Sequence, residues 1–216
     1  LTETFTVKAA DGTTSSVTVT INGTNDAAVI SGTSTATLTE SNAVQNASGT
    51  LSASDVDSAT TFVAQTNVAG SNGYGKFSIN AAGQWSYTMD SAHNEFKAGQ
   101  AYTDSITVTT ADGTNKLLTV TINGTNDAPI VATDNVTILE DSVANGNVLS
   151  NDSDVEGSSL SITQFSVNGT DYTAGTTANI AGVGTVTIKA NGDYTFTPTN
   201  NWSGSAPSVV YTATDG

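Results

Sequence analysis

The chain has 216 residues, of which 20 are acidic and 5 are basic, and its formal net charge is −15 at pH 7. This charge makes nucleic acids and anionic membranes poor partners and favours divalent cations as the natural counter-charge. The absence of cysteine excludes disulfides and thiolate zinc sites, and no apolar run approaches the ~20 residues that span a bilayer.

Residues 1–26 contain two short segments in which apolar and polar residues alternate, and a period of two is typical of half-buried strands. The apolar positions are Phe5, Val7 and Ala9 in the first segment and Val17, Val19 and Ile21 in the second. The sequence INGTNDA at 21–27 recurs unchanged at 122–128, so one structural unit is about 101 residues long. We therefore expect residues 1–26 to be the last two strands of a preceding repeat plus a linker.

Residues 27–127 form the first whole unit. The same alternation predicts seven strands in it, at about 35–40, 48–53, 60–66, 73–80, 84–89, 101–110 and 116–123. Turn residues separate these segments, and no segment has the pattern of a long helix. Seven short strands in a hundred residues are typical of an immunoglobulin-like or cadherin-like β-sandwich.

Residues 128–216 repeat this pattern. Residues 136–140 align with 36–40, so that Glu140 corresponds to Glu40, and residues 184–194 align with 75–85. Compared with the first unit, this unit stops one strand early. The predicted fold class is therefore all-β, with tandem immunoglobulin-like or cadherin-like sandwiches, the second of which lacks its last strand.

Acidic residues recur in corresponding loops of the two units. Calcium takes six to eight oxygen ligands, and alternate loops of a sandwich lie at the end where the incoming linker enters. The first set expected to converge is Asn25 and Asp26 in the linker, Asp55 and Asp57 after the second strand, and Asp112 near the end of the unit. The second set is Asn126, Asp127, Asp152, Asp154, Glu156 and Asp215, together with Glu40 from the preceding unit.

An alternative interpretation is that these residues only shape turns, because Asp and Asn favour turns through hydrogen bonds to their own backbone. Turn chemistry does not, however, require paired acids in the same loop of both units. This repetition favours calcium as the bound ion.

Three longer strings resemble the VCBS repeat of very large bacterial adhesins exported by type I secretion. They are GTLSASDVDS (49–58), GYGKFSINAAGQWSYTMD (73–90) and TVTTADGTNKLLTVTINGTNDAP (107–129). The unit from Pro129 to Gly216, with NDSDVEGSSLSI (151–162) and NGDYTFTPTNNWSG (191–204), is similar to the related cadherin-like tandem repeat, although Gly204 is followed by Ser-Ala-Pro-Ser rather than the expected Asp. The resemblance implies a secreted, RTX-type cell-surface protein with a role in adhesion or biofilm formation, and it supports the calcium sets.

Catalysis is not expected. His93 is the only histidine and falls in an expected exposed loop, and the paired aspartates lack the apolar setting that raises a catalytic pKa.

The leading function is a structural spacer. The alternative is a calcium-dependent carbohydrate- or protein-binding module that uses Trp202 and the acidic loops.

Partners are expected to be neighbouring repeats of the same chain, with no nucleic acid and no membrane insertion. Unpaired edge strands at the two ends offer free N–H and C=O groups, and two interpretations of them are open. In one, residues 1–26 complete the C-terminal sandwich of a second molecule, head to tail. In the other, the chain is a piece of a longer continuous protein whose own next strand fills the gap. The sequence does not identify the surface or host ligand.

Overall fold

The computed structural model describes all residues from 1 to 216 and contains seventeen strands and no helix. The strands are β1 (Thr2–Lys8), β2 (Thr14–Thr20), β3 (Val29–Gly32), β4 (Thr35–Thr39), β5 (Asn46–Ser54), β6 (Gln65–Ala69), β7 (Gly75–Ile79), β8 (Gln84–Met89), β9 (Ala101–Thr109), β10 (Asn115–Asn123), β11 (Ala144–Asn147), β12 (Ser161–Val167), β13 (Thr170–Thr173), β14 (Thr177–Ile180), β15 (Gly184–Ile188), β16 (Asp193–Pro198) and β17 (Val209–Thr214). The predicted all-β fold is confirmed. No helical segment long and apolar enough for a membrane span is found.

The chain divides into two compact units. The first comprises Leu1–Leu38, Asn46–Asp90 and Thr103–Thr121, and the second comprises Thr39–Gln45, Ser91–Tyr102 and Ile122–Gly216. The loop that contains Glu40 therefore belongs to the same unit as the C-terminal strands.

The first two strands form an antiparallel hairpin. β1 pairs with β2 from Thr2 opposite Thr20 to Lys8 opposite Thr14, as the alternating pattern predicts. Every residue of both strands is exposed, including the apolar residues Phe5, Val7, Val17 and Val19.

Two sheets build the rest of the first unit. One has the order β3-β5-β8-β7-β6 and the other the order β4-β10-β9. Buried and exposed residues alternate along β7, β8 and β10, so each sheet turns one apolar face inward. The core side chains are Leu51, Phe62, Phe77, Ile79, Trp85, Tyr87, Met89, Ile106, Val108, Leu118 and Val120.

A buried carboxylate stabilises the turn between β6 and β7 through hydrogen bonds. Asp104 on β9 is fully buried and accepts hydrogen bonds from the amides of Asn72 (2.9 Å), Tyr74 (3.1 Å) and Gly75 (3.1 Å) and from the Tyr87 hydroxyl (3.2 Å). Four donors satisfy the carboxylate, which is the condition for burying one. Gly70 is required beside it, because a Cβ there would lie 2.0 Å from the carboxylate carbon.

The second unit contains two further antiparallel sheets, with the orders β11-β16-β15-β14 and β13-β12-β17. Their inward-facing side chains form one core. Its buried members are Val148, Ile162, Phe165, Val167, Ala178, Ile180, Val186 and Ile188. The expected alignment of 184–194 with 75–85 is matched in the structure, since β15 and β16 form a hairpin as β7 and β8 do.

The structure differs from the predicted strands in three places. β3 was not predicted, because the run around Val29 is only four residues long. The strand expected at 60–66 lies at Gln65–Ala69, and of the residues before it only Phe62 forms an isolated bridge, with Thr110. Residues 136–139 form no strand although they align with 36–39 in β4, because β4 pairs with β10 and no strand equivalent to β10 lies beside them.

Candidate metal centres

The first linker cluster, formed by Asn25, Asp26, Asp55, Asp57 and Asp112, lies within the first unit. Hydrogen bonds bring its linker and its two loops together. The Asp26 amide donates to Asp57 Oδ2 (3.3 Å), and the Ser58 hydroxyl donates to Asn25 Oδ1 (2.7 Å). The Ala28 amide donates to Asp112 Oδ2 (2.9 Å). The five residues predicted to converge are thus linked through the segment 25–28.

Asp112 is held by hydroxyl groups as well as by this amide. Thr110 donates its hydroxyl to Asp112 Oδ1, and the Thr114 hydroxyl donates to Oδ2 at 2.6 Å. These hydrogen bonds hold the pKa of Asp112 well below its usual range, so the carboxylate stays ionised.

Asp55 and Asp57 have opposite pKa shifts. Asp55 Oδ1 accepts the amides of Asp57 (2.8 Å) and Ser58 (2.5 Å), an Asx turn that lowers its pKa. The pKa of Asp57 is raised, first by its interaction with the Asp55 carboxyl and then by burial and by repulsion from Asp55 and Asp26. The turn interpretation therefore describes Asp55 Oδ1 correctly. The turn interpretation does not account for Asp55 Oδ2, which is buried without a hydrogen-bond partner.

The second linker cluster, formed by Glu40, Asp127, Asp154 and Glu156, lies within the second unit and is more deeply buried. Glu40 and Glu156 are only 2% and 6% exposed. Each of three acids uses one oxygen on the protein: Glu40 Oε2 accepts from Thr125, Glu156 Oε1 from the Asp127 amide (2.8 Å), and Asp154 Oδ1 from the Ser158 amide (2.8 Å).

Four carboxylate oxygens of the second linker cluster are buried without any hydrogen-bond partner. They are Glu40 Oε1, Asp127 Oδ2, Asp154 Oδ2 and Glu156 Oε2. The pKa of Asp127 is raised, chiefly by burial and then by the negative charges of Glu40, Glu156 and Asp154. Buried, unpaired carboxylates of like charge are costly, and a cation that coordinates their oxygens removes the cost.

The remaining predicted ligands fall into two places. Asn126 donates its side-chain amide to Asp215 Oδ2 at 2.6 Å, so this pair joins the linker to the end of β17. Asp152 instead accepts from the Ala132 amide (2.8 Å) and from the Tyr211 hydroxyl (3.0 Å), and Tyr211 also contacts Asp134 Oδ2 at 3.3 Å. The hydrogen bonds of Asp152 therefore lie with Tyr211 and Ala132 rather than with Asp127.

No group of three or more His, Cys, Asp or Glu side chains has a geometry ready to hold a metal ion as it stands. The donor chemistry nevertheless fits calcium, which takes carboxylate and carbonyl oxygens in a flexible arrangement. Unpaired buried oxygens are most numerous in the second linker cluster, and that cluster fits the ion best.

Sequence reasoning missed the hydroxyl groups that orient these acids. Thr125 holds Glu40, and it could have been found because it lies within the repeated INGTNDA segment. Tyr211 could not have been found in this way, because by repeat alignment the first unit has Val108 at its position.

Two residues considered for other chemistry are packed against neighbours. His93 was expected to be exposed, but its side chain is only 10% exposed, stacks on Phe96 with ring centroids 4.6 Å apart, and lies 2.7 Å from Glu95 Oε1. Trp202 is half-buried and contacts the edge of Phe196, with ring centroids 6.2 Å apart.

Comparisons with known proteins identify the two domains. The family of bacterial cadherin-like domains matches residues 25–124, and the family of bacterial Ig domains matches residues 126–216. A solved structure described as a Ca2+-stabilized adhesin, which helps an Antarctic bacterium reach out and bind ice, matches 98% of this chain at 15% identity and a TM-score of 0.25.

This chain spans 54% of the length of that structure, and so low a TM-score does not establish a shared arrangement of domains. No curated protein is similar enough to the chain to count as a match. The family matches and the strands agree on the kind of domain. The chain is an all-β protein in which a bacterial cadherin-like domain is followed in tandem by a bacterial Ig-like domain.

Proposed function

We propose that this chain is an extender segment of a secreted bacterial surface adhesin, and that calcium binds its two linker clusters. The observation that carries the calcium proposal is the set of four buried, unpartnered carboxylate oxygens on Glu40, Asp127, Asp154 and Glu156. A protein with a net charge of −15 and no arginine has few cations of its own to neutralise them.

In this proposal the second linker cluster holds the stronger site. Calcium would supply positive charge and oxygen coordination there. Thr125 orients Glu40, and the Asp127 amide orients Glu156, so each donor leaves one carboxylate oxygen for the ion. In the first linker cluster, Asp55 Oδ2 is the buried oxygen available.

The spacer role rests on repetition. The chain carries the INGTNDA linker twice, 101 residues apart, and each copy contributes to an acid cluster. Repeated domains with acid-rich linkers extend a protein, whereas binding domains are commonly single. An ion that restrains both linkers would keep such a chain extended.

The same proposal includes an extracellular location, type I secretion and membership of the VCBS type of repeat. It assigns no enzymatic activity. Support comes from the two bacterial domain families and from the excess of acids, which suits the millimolar calcium of extracellular surroundings.

Small-angle scattering of the whole chain tests the extender role. With millimolar calcium the radius of gyration should rise to a fixed value, and the scattering profile should indicate a less flexible chain. Magnesium at equal concentration should have a weaker effect. A radius of gyration that is the same in calcium and in chelator would contradict a calcium-rigidified spacer. Thermal stability, measured in parallel, separates loss of rigidity from loss of binding.

A further inference from the structure

The loop between β8 and β9 contains none of the four acids of the second linker cluster, but it packs against the linker beside them. This β8–β9 loop comprises residues 91–100 and belongs to the same unit as the cluster. The Gly124 amide donates a hydrogen bond to the Gln100 carbonyl oxygen (3.0 Å). A Cβ on Gly124 would lie 2.3 Å from the Phe96 carbonyl oxygen and 2.4 Å from that of Lys97. The backbone of the loop thus contacts the backbone of the linker, and only glycine leaves room for this approach.

Internal contacts hold the β8–β9 loop in this shape. The Phe96 ring is buried and stacks on His93 and on Tyr102, with ring centroids 4.6 Å and 3.8 Å away. The Lys97 amide donates to the Tyr102 hydroxyl oxygen (3.1 Å), and the Phe96 amide donates to the His93 carbonyl (2.9 Å). These contacts fix the carbonyl groups that face Gly124, and none of them needs an ion.

The residue after Gly124 orients the acid cluster. Thr125 donates its amide and its hydroxyl to Glu40 Oε2, and the Glu40 amide donates to the Asn123 carbonyl (2.8 Å). Residues 123–125 are therefore held between Glu40 on one side and the β8–β9 loop on the other.

A second contact joins the same loop to the segment that carries Glu40. The Asn94 side-chain amide donates to Asn42 Oδ1 at 2.8 Å, and Asn42 is two residues from Glu40. The loop thus reaches the environment of Glu40 by two routes, through Gly124 and through Asn42.

We propose that the β8–β9 loop sets the calcium affinity of the second linker cluster, with Gly124 as the positioning residue. This inference rests on the proposed calcium site and adds to it a support that contains no ligand. Displacement of Gly124 moves Thr125, which holds Glu40 through one oxygen while the other has no hydrogen bond. Neighbours that orient metal ligands contribute about 10- to 100-fold to metal affinity.

The coupling between loop and ion acts in both directions, because the two binding free energies are linked. Calcium should therefore slow the hydrogen exchange of the Phe96 and Gln100 amides, although neither residue is a ligand. Both amides donate hydrogen bonds within the loop, to the carbonyl groups of His93 and Lys97.

Titration calorimetry of the whole chain tests the proposal. Gly124→Ala should weaken calcium binding at the second linker cluster by about tenfold or more and leave the first linker cluster unchanged. Gln100→Ala is the matched control. It shortens an exposed side chain of the same loop but keeps the carbonyl group that accepts the Gly124 amide, so its affinity should equal that of the wild type.

Hydrogen exchange in calcium-free buffer gives a readout that does not depend on the ion. Gly124→Ala should make the Thr125 amide, which donates to Glu40, exchange several-fold faster. The Gly75 amide donates to the buried Asp104 and reports on the stability of the cadherin-like core, so its exchange should not change. Equal acceleration at Thr125 and Gly75 would show a general loss of stability and overturn the proposal.

A second variant leaves the glycine in place. Asn42→Ala removes the acceptor of Asn94 at an exposed position, and it should weaken the second site less than Gly124→Ala does. If Gly124→Ala does not fold, Asn42→Ala decides alone. Two classes of site in the wild type with unchanged affinity in these variants would overturn the inference and leave the calcium proposal intact. Absence of calcium binding by the wild type would overturn both.

Discussion

Glu40 and Thr125 are joined by two hydrogen bonds to one carboxylate oxygen, from the Thr125 amide at 3.2 Å and from its hydroxyl at 2.5 Å. Both bonds go to Glu40 Oε2, so Oε1 is buried and free of protein donors. Thr125 therefore fixes the side chain of Glu40 through one oxygen and leaves the other without a hydrogen bond.

Glu40→Gln should weaken calcium binding at the second linker cluster by about tenfold, because calcium affinity follows the number of charged ligands. In calcium-free buffer the same variant should melt at a higher temperature than the wild type, since it removes one of the charges that repel Asp127. Titration calorimetry and thermal melting measure the two effects. Glu140→Gln is the matched control, because Glu140 aligns with Glu40 but is exposed. Equal effects of both substitutions would contradict a specific site.

Asp127 should give the metal-free protein a characteristic pH dependence. Burial and three neighbouring acids raise its pKa in the folded state, so its ionisation destabilises the fold at pH values above that pKa. The penalty is lost as the pH falls through the folded pKa towards the unfolded value. Asp127→Asn should therefore raise the melting temperature of calcium-free protein at neutral pH and change it little near pH ~4.

Asp112 should behave with the opposite sign. Hydrogen bonds from Thr110, Thr114 and Ala28 lower its pKa, so its ionised form stabilises the fold above the unfolded pKa. That contribution is lost as the pH falls towards the folded pKa. Asp112→Asn should lower the melting temperature at neutral pH in the same calcium-free buffer. If Asp112→Asn and Asp127→Asn shifted the melting temperature in the same direction, the opposite pKa shifts described for these two carboxyl groups would be contradicted.

Asp104→Asn should destabilise the cadherin-like domain by about 3 kcal/mol, because a buried amide cannot accept the four hydrogen bonds that the carboxylate accepts. Tyr87→Phe removes only one of the four donors and should cost about 1 kcal/mol. Urea denaturation measures both changes. Asp104→Asn should lose more free energy of unfolding than Tyr87→Phe. A larger loss in Tyr87→Phe would contradict the role assigned to Asp104.

Much of the fold could be predicted from the sequence, because period-two patterns report on faces that are buried. The patterns of β7, β8, β9 and β10 are examples, and Trp85 lies in the core as its alternation suggests. Residues 136–139 show the limit of this reasoning. They have the pattern of β4, but a strand also needs a hydrogen-bond partner along its edge, and that partner is not visible in the segment itself.

The candidate sites could be predicted in part. Loop topology brought Asp55, Asp57 and Asp112 to one linker, and the structure links all three to the segment 25–28 or to each other. Loop topology could not predict that Asp152 and Asp154, which are two residues apart, have different hydrogen-bond partners. The Tyr211 hydroxyl donates a hydrogen bond to Asp152, and a tyrosine at this position has no counterpart in the first unit.

The two linker clusters should respond independently. Replacing Asp55 and Asp57 together by Ala should abolish calcium binding at the first linker cluster and leave the affinity of the second unchanged, because the two clusters share no residue and no hydrogen-bond partner. Titration calorimetry should then show the loss of one class of site. Simultaneous loss of both classes would contradict two separate centres.

The most direct test of the account is a calcium titration of the whole chain, followed by calorimetric melting of the wild type and of the double variant Asp127→Asn with Glu156→Gln. If calcium binds the folded clusters and not the unfolded chain, the melting temperature of the wild type should rise with calcium concentration by mass action and return to its starting value with chelator. The double variant should lose most of this rise. A wild-type melting temperature that does not change between calcium and chelator would contradict calcium binding by these clusters.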